Sequence, residues 1–286
     1  MAVRLTHNGA ATDEQAELES IEIALLVEGI YRRYGFDFRN YAPASLKRRI
    51  WRRVAAERVG TVSALLERLL HDPSVMERLL LELSVNVTAM FRDPGFYVVF
   101  REKVVPLLRT YPFLRIWSAG CASGEETYSL AILLEEEGIY EKTRIYATDF
   151  NQTALEQARA GVFPLERMRD YTTNYIAAGG KRSFSEYYVA GYDGAQFRRS
   201  LMRNVVFAQH NLVSDRSFNE FQVIVCRNVM IYFDRTLQER VHALFYDSLV
   251  TLGVLGLGRR ESARFTPLAD RYEPIDADER LYRKVA

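Results

Sequence analysis

Two glycines and two acids stand where a short apolar run gives way to a helix-like pattern. The apolar run at 115–119 is typical of a buried strand, and the segment 120–126 (GCASGEE) follows it as a tight turn. Periodic apolar residues at 126–134 predict a helix, and a second apolar run at 144–148 ends on Asp149. A strand, a glycine turn, a helix and a carboxylate at the next strand tip together predict half of a nucleotide-type cleft.

The spacing of the glycines argues against a dinucleotide. Gly120 and Gly124 leave no G-x-G-x-x-G pattern, and the two acids that follow would repel a pyrophosphate. Asp149 can accept hydrogen bonds from both hydroxyls of a ribose, while Glu125 or Glu126 suits a helix start and can pair with an ammonium group. S-adenosylmethionine has both a ribose and a positive charge and fits this turn. The alternative is that the acids only cap the helix.

A second group of polar side chains lies in the segment 86–94 (NVTAMFRDP), between the two halves of the chain. Asn86, Thr88 and Arg92 stand close together among apolar residues. Taken alone, this segment is also consistent with a helix N-cap followed by a surface arginine.

A third motif, CRNVMIYF at 226–233, follows the strongly apolar run at 221–226. Arg227 and Asn228 at a strand tip, with Tyr232 five residues after the arginine, are typical of a pocket wall. Val229 follows the asparagine where nucleic-acid amino-methyltransferases have proline, so the motif disfavours methylation of a base.

The elements that must position these residues alternate strand and helix from residue 105 onward. The predicted strands are 115–119, 144–148, 205–209 and 221–226, and the predicted helices are 126–134, 152–160 and 235–249. This series predicts an α/β, Rossmann-like domain over 84–286, with a mostly parallel sheet covered on both faces. Runs at 254–257 and 281–285 predict an antiparallel edge.

The interval 166–204 breaks this alternation. Paired glycines at 179–180, paired tyrosines at 187–188 and the turn-like GYDG at 191–194 predict a small antiparallel β insertion. Such an insertion is either a recognition element or a passive elaboration of the domain.

Residues 20–83 show helical periodicity throughout and predict a small all-α N-terminal domain. The first helix ends at Gly35, and Ser45 and Thr61 are predicted caps of the next two. Residues 1–19 are polar and acidic and are predicted to be a disordered lead-in.

The second of these helices, at 46–58, is strongly basic. It carries one acid, Glu57, and six basic residues: Lys47, Arg48, Arg49, Arg52, Arg53 and Arg58. This cluster is a solvated face, a docking surface for an acidic partner helix, or, least in favour, a DNA contact.

Composition limits the remaining possibilities. The 286 residues carry a net charge of +1, which gives no global field for nucleic acid or an anionic membrane, and no apolar run is long enough to cross a bilayer. The four histidines lack metal-ligand spacing, and Cys121 and Cys226 suit reduced thiols in a cytosolic protein. Ser123 lacks a G-x-S-x-G elbow, and no P-loop lysine follows Gly124.

Together the motifs resemble the CheR family, the chemotaxis protein-glutamate O-methyltransferases. The resemblance covers nearly the whole chain. Its motifs are N-x-T-x-x-F-R at 86–92, GCASGEE at 120–126, ATD at 147–149, HNL at 210–212 and CRNVxIYF at 226–233. The segments TLGV at 251–254 and GRRES at 258–262 depart from the family's C-terminal hairpin and alter its turn rather than the cofactor site.

The resemblance implies methyl transfer from S-adenosylmethionine to glutamate side chains of chemoreceptors in the cytoplasm, as part of sensory adaptation. S-adenosylhomocysteine is the implied product, no metal is implied, and the basic helix and β insertion would touch the receptor. The implied cofactor contacts are Asn86, Thr88, Arg92, Ala119, Gly120, Glu126, Asp149, Asn211, Leu212, Arg227 and Asn228.

Such a reaction needs no general base, because a carboxylate acceptor is already ionised at neutral pH. The hypothesis is that Arg92 and Tyr232 hold the substrate carboxylate near the methyl group, with Arg227 shaping the same pocket. Two alternatives remain: a regulatory scaffold that binds S-adenosylmethionine or S-adenosylhomocysteine in a receptor array, and a class I methyltransferase acting on another protein or a small molecule.

Overall fold

The computed structural model describes residues 8–83, 88–264 and 266–285, and the chain divides into two compact units between Ser84 and Val85. The first unit is helical in the described residues, as predicted. Its helices are α1 (Asn8–Tyr34), α2 (Pro43–Ala56), α3 (Val62–His71) and α4 (Pro73–Leu83). No helix among the described residues combines the length and apolarity needed to cross a membrane.

The helix caps follow the sequence in part. Thr61 caps α3, because its side chain accepts a hydrogen bond from Ala64 N at 3.1 Å. The prediction that Ser45 is the N-cap was wrong. The N-cap is Ala42, three residues earlier, and its side chain makes no capping hydrogen bond; Pro43 lies in the first turn of α2. Proline is pre-organised for a first helical turn, where its missing N–H costs nothing.

The first helix also begins earlier than predicted. Residues 8–19 lie in α1, not in a disordered lead-in, while residues 1–7 are outside the described part. The segment 14–19 (EQAELE) consists of strong helix formers. Glu19 is held by Lys47 Nζ at 2.6 Å and by Trp51 Nε1, so the predicted tail is tied to α2.

The second unit contains ten strands. They are β1 (Leu114–Ala119), β2 (Thr143–Asp149), β3 (Val162–Phe163), β4 (Tyr188–Gly191), β5 (Gly194–Phe197), β6 (Val205–Gln209), β7 (Phe221–Cys226), β8 (Leu249–Leu257), β9 (Tyr272–Asp276) and β10 (Leu281–Lys284). Six helices accompany them: α5 (Pro94–Val99), α6 (Val105–Arg109), α7 (Glu125–Glu136), α8 (Gln152–Ala160), α9 (Met168–Ala177) and α10 (Arg235–Ser248).

Seven of the strands form one sheet in the order β6-β2-β1-β7-β8-β10-β9. The first five are parallel, and β10 and β9 complete the predicted antiparallel edge. This confirms the predicted α/β, Rossmann-like domain with a mostly parallel sheet. Because β6, β2, β1 and β7 are parallel neighbours, their carboxyl ends meet at one edge of the sheet, where ligands of such folds bind.

The core of the sheet is apolar on both faces, with α7 buried along most of its length. Trp117 on β1 is fully buried, and its indole N–H donates to Thr148 Oγ1 at 2.8 Å. This bond ties β1 to β2 just before both strands reach the ligand edge.

The insertion differs from the prediction in its extent and content. Its three-stranded antiparallel sheet, in the order β3-β5-β4, begins at Val162, and helix α9 precedes its second strand. The sequence of α9, MRDYTTNYIA, holds threonine, tyrosine and asparagine residues that favour a helix only weakly, so its propensity gave little signal.

Candidate functional site

The structure brings most of the predicted site residues to the carboxyl edge of the parallel strands. Ala119 ends β1, Asp149 ends β2, and Arg227 directly follows β7. Asn211 and Leu212 lie just beyond β6, where His210 N donates to Asp149 O at 3.1 Å. Asn86 lies outside the described residues.

The turn after β1 is built around two left-handed glycines. Gly120 has a φ of +71°, and a Cβ there would lie 2.5 Å from Val229 Cγ2. Gly124 has a φ of +97°, and a Cβ there would lie 2.8 Å from Ala158 Cβ. Both glycines are therefore required by packing within the protein, a role that the predicted approach of a ligand to the backbone did not include.

Asp149 is buried at the tip of β2 with its carboxylate fixed by the main chain. Ala122 N donates to one carboxylate oxygen and Asn151 N to the other, each at 2.9 Å. Burial raises the pKa of Asp149, and these N–H groups oppose the rise. A carboxylate has about four lone-pair sites, so acceptor capacity remains for a ribose.

Arg227 is the centre of a buried ionic cluster, here called the site arginine cluster (Arg227, Glu126, Asp93). Its Nη2 donates to Asp93 Oδ2 and to the carbonyl of Arg92, both at 2.9 Å, and its Nη1 donates to Glu126 Oε2 at 3.3 Å. The guanidinium carbon lies 4.3 Å from the ring centroid of Phe96. The side chain is 2% exposed, and the predicted role of Arg227 in shaping the acceptor pocket stays a prediction.

In the site arginine cluster, the two carboxylates of Glu126 and Asp93 share the single guanidinium of Arg227. Burial raises the pKa of Glu126, and Arg227 offsets only part of that rise. Burial and the nearby charges of Asp149 and Glu126 also raise the pKa of the Cys121 thiol. The turn is therefore a region of negative potential.

Glu125 faces a different set of partners. It accepts hydrogen bonds from Ser123 Oγ at 2.7 Å and from Tyr171 Oη at 3.2 Å. Burial raises the pKa of Glu125. Since Tyr171 belongs to α9, the Glu125 carboxylate links the glycine turn to the insertion. Glu126 is therefore the better candidate to bind the cofactor.

Glu261, which sequence reasoning missed, organises the tip of β7. Its buried carboxylate accepts four backbone N–H groups at 2.7–2.9 Å, from Asn228, Val229, Met230 and Gly258. Asn228 is held in a left-handed conformation, with a φ of +62°. An acid three residues after the glycine that directly follows β8 was the available signal.

The segment before α5 is clamped to the rest of this unit by its main chain. Arg167 Nη1 donates to Thr88 O at 3.3 Å, and Phe91 N donates to Ser129 Oγ at 2.8 Å. Arg92 is half-buried, and its positive charge acts on Glu126. Phe91 and Asp93 on either side of it have left-handed φ angles of +51° and +53°, a strain that clusters at functional sites.

The loop after β6 offers no obvious general base. The ring of His210 packs edge-on against Trp117, and its Nε2 lies 3.1 Å from Arg216 O. Asn211 Oδ1 accepts from Val213 N, so this side chain shapes its own loop, and both Asn211 and Leu212 are half-buried.

These residues fit a cationic methyl donor. The half-buried carboxylates of Glu126 and Asp93 pair with the buried Arg227, whose Nε has no hydrogen-bond partner in the described residues. The buried carboxylate of Asp149 lies at the tip of β2. S-adenosylmethionine brings a sulfonium and an ammonium, and Glu126 and Asp149 would hold its amino-acid and ribose ends. The described residues contain no group of three or more histidine, cysteine, aspartate or glutamate side chains suited to a metal.

Comparisons with known proteins agree with this geometry. Residues 86–279 match the model of the CheR methyltransferase, SAM binding domain, and residues 21–84 match that of the CheR methyltransferase, all-alpha domain. A protein of Pseudomonas putida named "Putative methyltransferase Cher3" is 50% identical over 92% of this chain and 97% of its own length.

More distant relatives are named chemotaxis protein methyltransferases. A chemotaxis protein methyltransferase of Listeria innocua is 30% identical over 81% of this chain and 86% of its own length. Chemotaxis protein methyltransferase 2 of Pseudomonas aeruginosa is 33% identical over 75% of this chain and 76% of its own length. With both domains matched in order and the cofactor cleft in place, this chain belongs to the CheR family of S-adenosylmethionine-dependent methyltransferases.

Proposed function

We propose that this protein transfers a methyl group from S-adenosylmethionine to glutamate side chains in the cytoplasmic domain of chemoreceptors. The products are glutamyl methyl esters and S-adenosylhomocysteine. The observation that carries the proposal is the negatively charged turn at Glu126 and Asp149, next to a polar strand tip that lacks a poised base. Relatives of this chain named as chemotaxis protein methyltransferases support the choice of substrate.

The bound cofactor supplies an electrophilic methyl group on a sulfonium. The protein must then align the acceptor and strip water from it, since an ionised carboxylate needs no deprotonation. Arg92 and Tyr232, both half-buried, are proposed to hold that carboxylate. Arg92 must orient the acceptor without binding its ground state too tightly, because uniform binding does not raise kcat.

Arg227 is proposed as a positioning residue. Its bonds to the Arg92 carbonyl and the Asp93 carboxylate hold the chain directly after the Arg92 Cα. Glu261 fixes the tip that leads into Tyr232.

The receptor contacts are also proposals. For the basic helix at 46–58, bonds within the helical unit reduce the number of basic residues that are left for docking. In α2, Arg49 is buried and donates to Leu83 O at 2.5 Å, and Arg53 pairs with Glu57 at 3.0 Å. Lys47 pairs with Glu19 at 2.6 Å, so three of the six basic residues are used inside the helical unit. Arg48 and Arg52 are exposed and are the better candidates for docking, together with the insertion.

Replacement of Arg92 by Ala tests the function. We expect radiolabelled methyl transfer to receptor-enriched membranes to form base-labile esters, and Arg92→Ala to lower kcat by about a hundredfold, as misplaced acceptors do. S-adenosylhomocysteine binding, measured by calorimetry, serves as the control for an intact cleft. Transfer by the variant at the wild-type rate would exclude this role for Arg92, and a product other than a glutamyl ester would exclude the proposed substrate.

A further inference from the structure

Beside the tip of β7 lies a cavity of about 540 Å³ that the proposed reaction does not use. Four arginines line it: Arg235, Arg259, Arg260 and Arg280. Met230 and Ile231 give it an apolar wall. We call this cavity the arginine pocket.

Two of the four arginines have no carboxylate partner in the described residues. Arg235 Nε pairs with Glu239 at 3.0 Å, and Arg259 Nη2 pairs with Glu279 at 2.6 Å. Arg280 Nε donates to the carbonyl of Arg259 at 3.3 Å, a neutral acceptor, and Arg260 is exposed. The pocket therefore presents two uncompensated guanidinium groups.

The acids in the wall do not supply the missing charge. Glu239 is engaged by Arg235, and the buried carboxylate of Glu261 is turned to four backbone N–H groups. The guanidinium groups of Arg260 and Arg280 are therefore left to pair with an anion from another molecule. Guanidinium groups bind carboxylates in a bidentate geometry that lysine cannot match.

The pocket adjoins the proposed acceptor site. Met230 and Ile231 in its wall belong to the single turn of 3₁₀ helix Met230–Tyr232, and consecutive Cα atoms are about 3.8 Å apart. Tyr232 is therefore the next residue after the pocket wall. A helix that presents one glutamate to Tyr232 would carry its side chain four positions along only about 6 Å away.

From this arrangement we infer that the arginine pocket binds a second acidic side chain of the substrate protein, on the same helix as the glutamate to be methylated. This inference rests on the proposed function. It makes Arg260 and Arg280 determinants of substrate specificity: a target glutamate with an acidic neighbour is preferred over the same glutamate beside a neutral residue. Exposed charge pairs of this kind steer association and fix register.

Peptide binding tests the inference without requiring methyl transfer. The probes are labelled helical peptides with one target glutamate and, four positions along, glutamate, glutamine or lysine. Fluorescence anisotropy is measured with the full chain saturated with S-adenosylhomocysteine. We expect the wild type to prefer the glutamate–glutamate peptide by about threefold to tenfold, the range for one or two exposed ion pairs.

Charge reversal at Arg260 should abolish that preference, and the lysine peptide should restore binding to Arg260→Glu. Arg280→Glu, a second variant in the same pocket, should weaken the preference as well. Arg271→Glu is the matched control: Arg271 is exposed and precedes β9, whose Tyr272 pairs with Lys284 at the end of β10 remote from the site. It should retain the preference within about twofold.

Equal binding of the three peptides by the wild type, or an unchanged preference in Arg260→Glu, would overturn the inference. A wild type that shows the peptide preference but methylates no receptor would contradict the proposed function alone. The two failures are thus distinguishable.

Discussion

Two buried arginines in the larger unit each hold two carboxylates, yet their surroundings differ. Arg101 lies in a turn of π-helix (Phe100–Val104) between α5 and α6 and pairs with Glu136 at 2.5 Å and Glu137 at 2.8 Å. We call these three residues the structural arginine cluster. Arg227 makes the corresponding pairs with Asp93 at 2.9 Å and Glu126 at 3.3 Å in the site arginine cluster.

The structural arginine cluster is saturated with donors. Glu136 also accepts Tyr175 Oη, Tyr187 Oη at 2.9 Å and Lys181 N at 3.0 Å, which ties the insertion to α7. For Glu137, burial by itself raises the pKa, but hydrogen bonds from Lys181 and Arg101 outweigh it, and the pKa lies below its usual range.

The site arginine cluster has fewer donors for its acids. Arg227 is the one ion-pair partner of Glu126 in the described residues, and the pKa of Glu126 is raised. From this difference we infer that the structural arginine cluster, whose acids have all their donors, stabilises the fold. The site arginine cluster has an excess of acid, which favours the binding of a cationic ligand. A structural network also perturbs pKa values, so the sign of the shift distinguishes the two clusters better than its presence.

The sharpest way to break this comparison is to remove each arginine in turn. Arg227→Met and Arg101→Met should each lower the free energy of unfolding by about 3–5 kcal/mol, because the first leaves Glu126 and the second leaves Glu136 without its ion-pair partner in the described residues. Only Arg227→Met should also weaken S-adenosylhomocysteine binding, by tenfold or more, since the segment at Arg92 loses its anchor. Chemical denaturation and calorimetry provide the two measurements.

Arg101→Met serves as the control for loss of stability in general. The affinity of its folded form for S-adenosylhomocysteine should stay within about twofold of wild type. Equal losses of affinity in both variants would remove the distinction between the clusters.

The acids give a second, smaller contrast. Glu126→Gln should leave the free energy of unfolding unchanged or raised, because the buried charge is costly there, while Glu136→Gln should lower it by about 3 kcal/mol. Glu126→Gln should weaken S-adenosylmethionine binding by about tenfold, the value of one charge-assisted hydrogen bond to the ammonium.

Methylthioadenosine, which lacks the amino-acid group, is the matched ligand for this test. Its affinity should be the same for wild type and Glu126→Gln. A loss of affinity for this ligand too would show that Glu126 acts on the cleft as a whole instead of on the ammonium.

Local pattern in the sequence pointed to Glu126 and Arg227 of the site arginine cluster, but not to Asp93, and it pointed to no member of the structural arginine cluster. Glu126, Asp149 and Arg227 each follow a strand or turn visible in local periodicity, and parallel strands carry such residues to one sheet edge. For these three residues, the local pattern of strands and turns was therefore enough to place them at the same edge of the sheet.

The missed residues depend on contacts that no local pattern encodes. Glu261 binds main-chain groups 31–33 residues away, and Glu136 gathers donors from Arg101, 35 residues before it, and Tyr187, 51 residues after it. The helical segment 94–109 and α9 were missed as well, since a π-turn and weak helix formers give little propensity signal. Both segments are bonded to side chains of α7, the first through Arg101 and the second through Tyr171 and Tyr175.

The smallest expected effect is the pH dependence of stability, and it tests the sign of the two pKa shifts. The raised pKa of Glu126 means that the folded protein binds the proton more tightly than the unfolded chain does. The glutamine variant at position 126 should therefore be more stable than wild type at pH 7. Its advantage should shrink as pH falls through the raised pKa towards 4.5, because protonation stabilises the wild type.

Glu137 should behave in the opposite way. Its lowered pKa contributes stability above pH 4.5 that is lost as pH falls further, so Glu137→Gln should be less stable than wild type at pH 7 and approach it in acid. Differences from wild type are the quantity to measure, because burial lowers the pKa of His242 to about 4 and costs every variant stability below pH 6.5 alike. Urea titrations from pH 7 to about pH 3 should give two differences of opposite sign, that of Glu126→Gln shrinking as pH falls towards 4.5 and that of Glu137→Gln shrinking below pH 4.5. Two differences of the same sign would mean that both clusters are structural, and the negative potential proposed for the cofactor turn would lose its support.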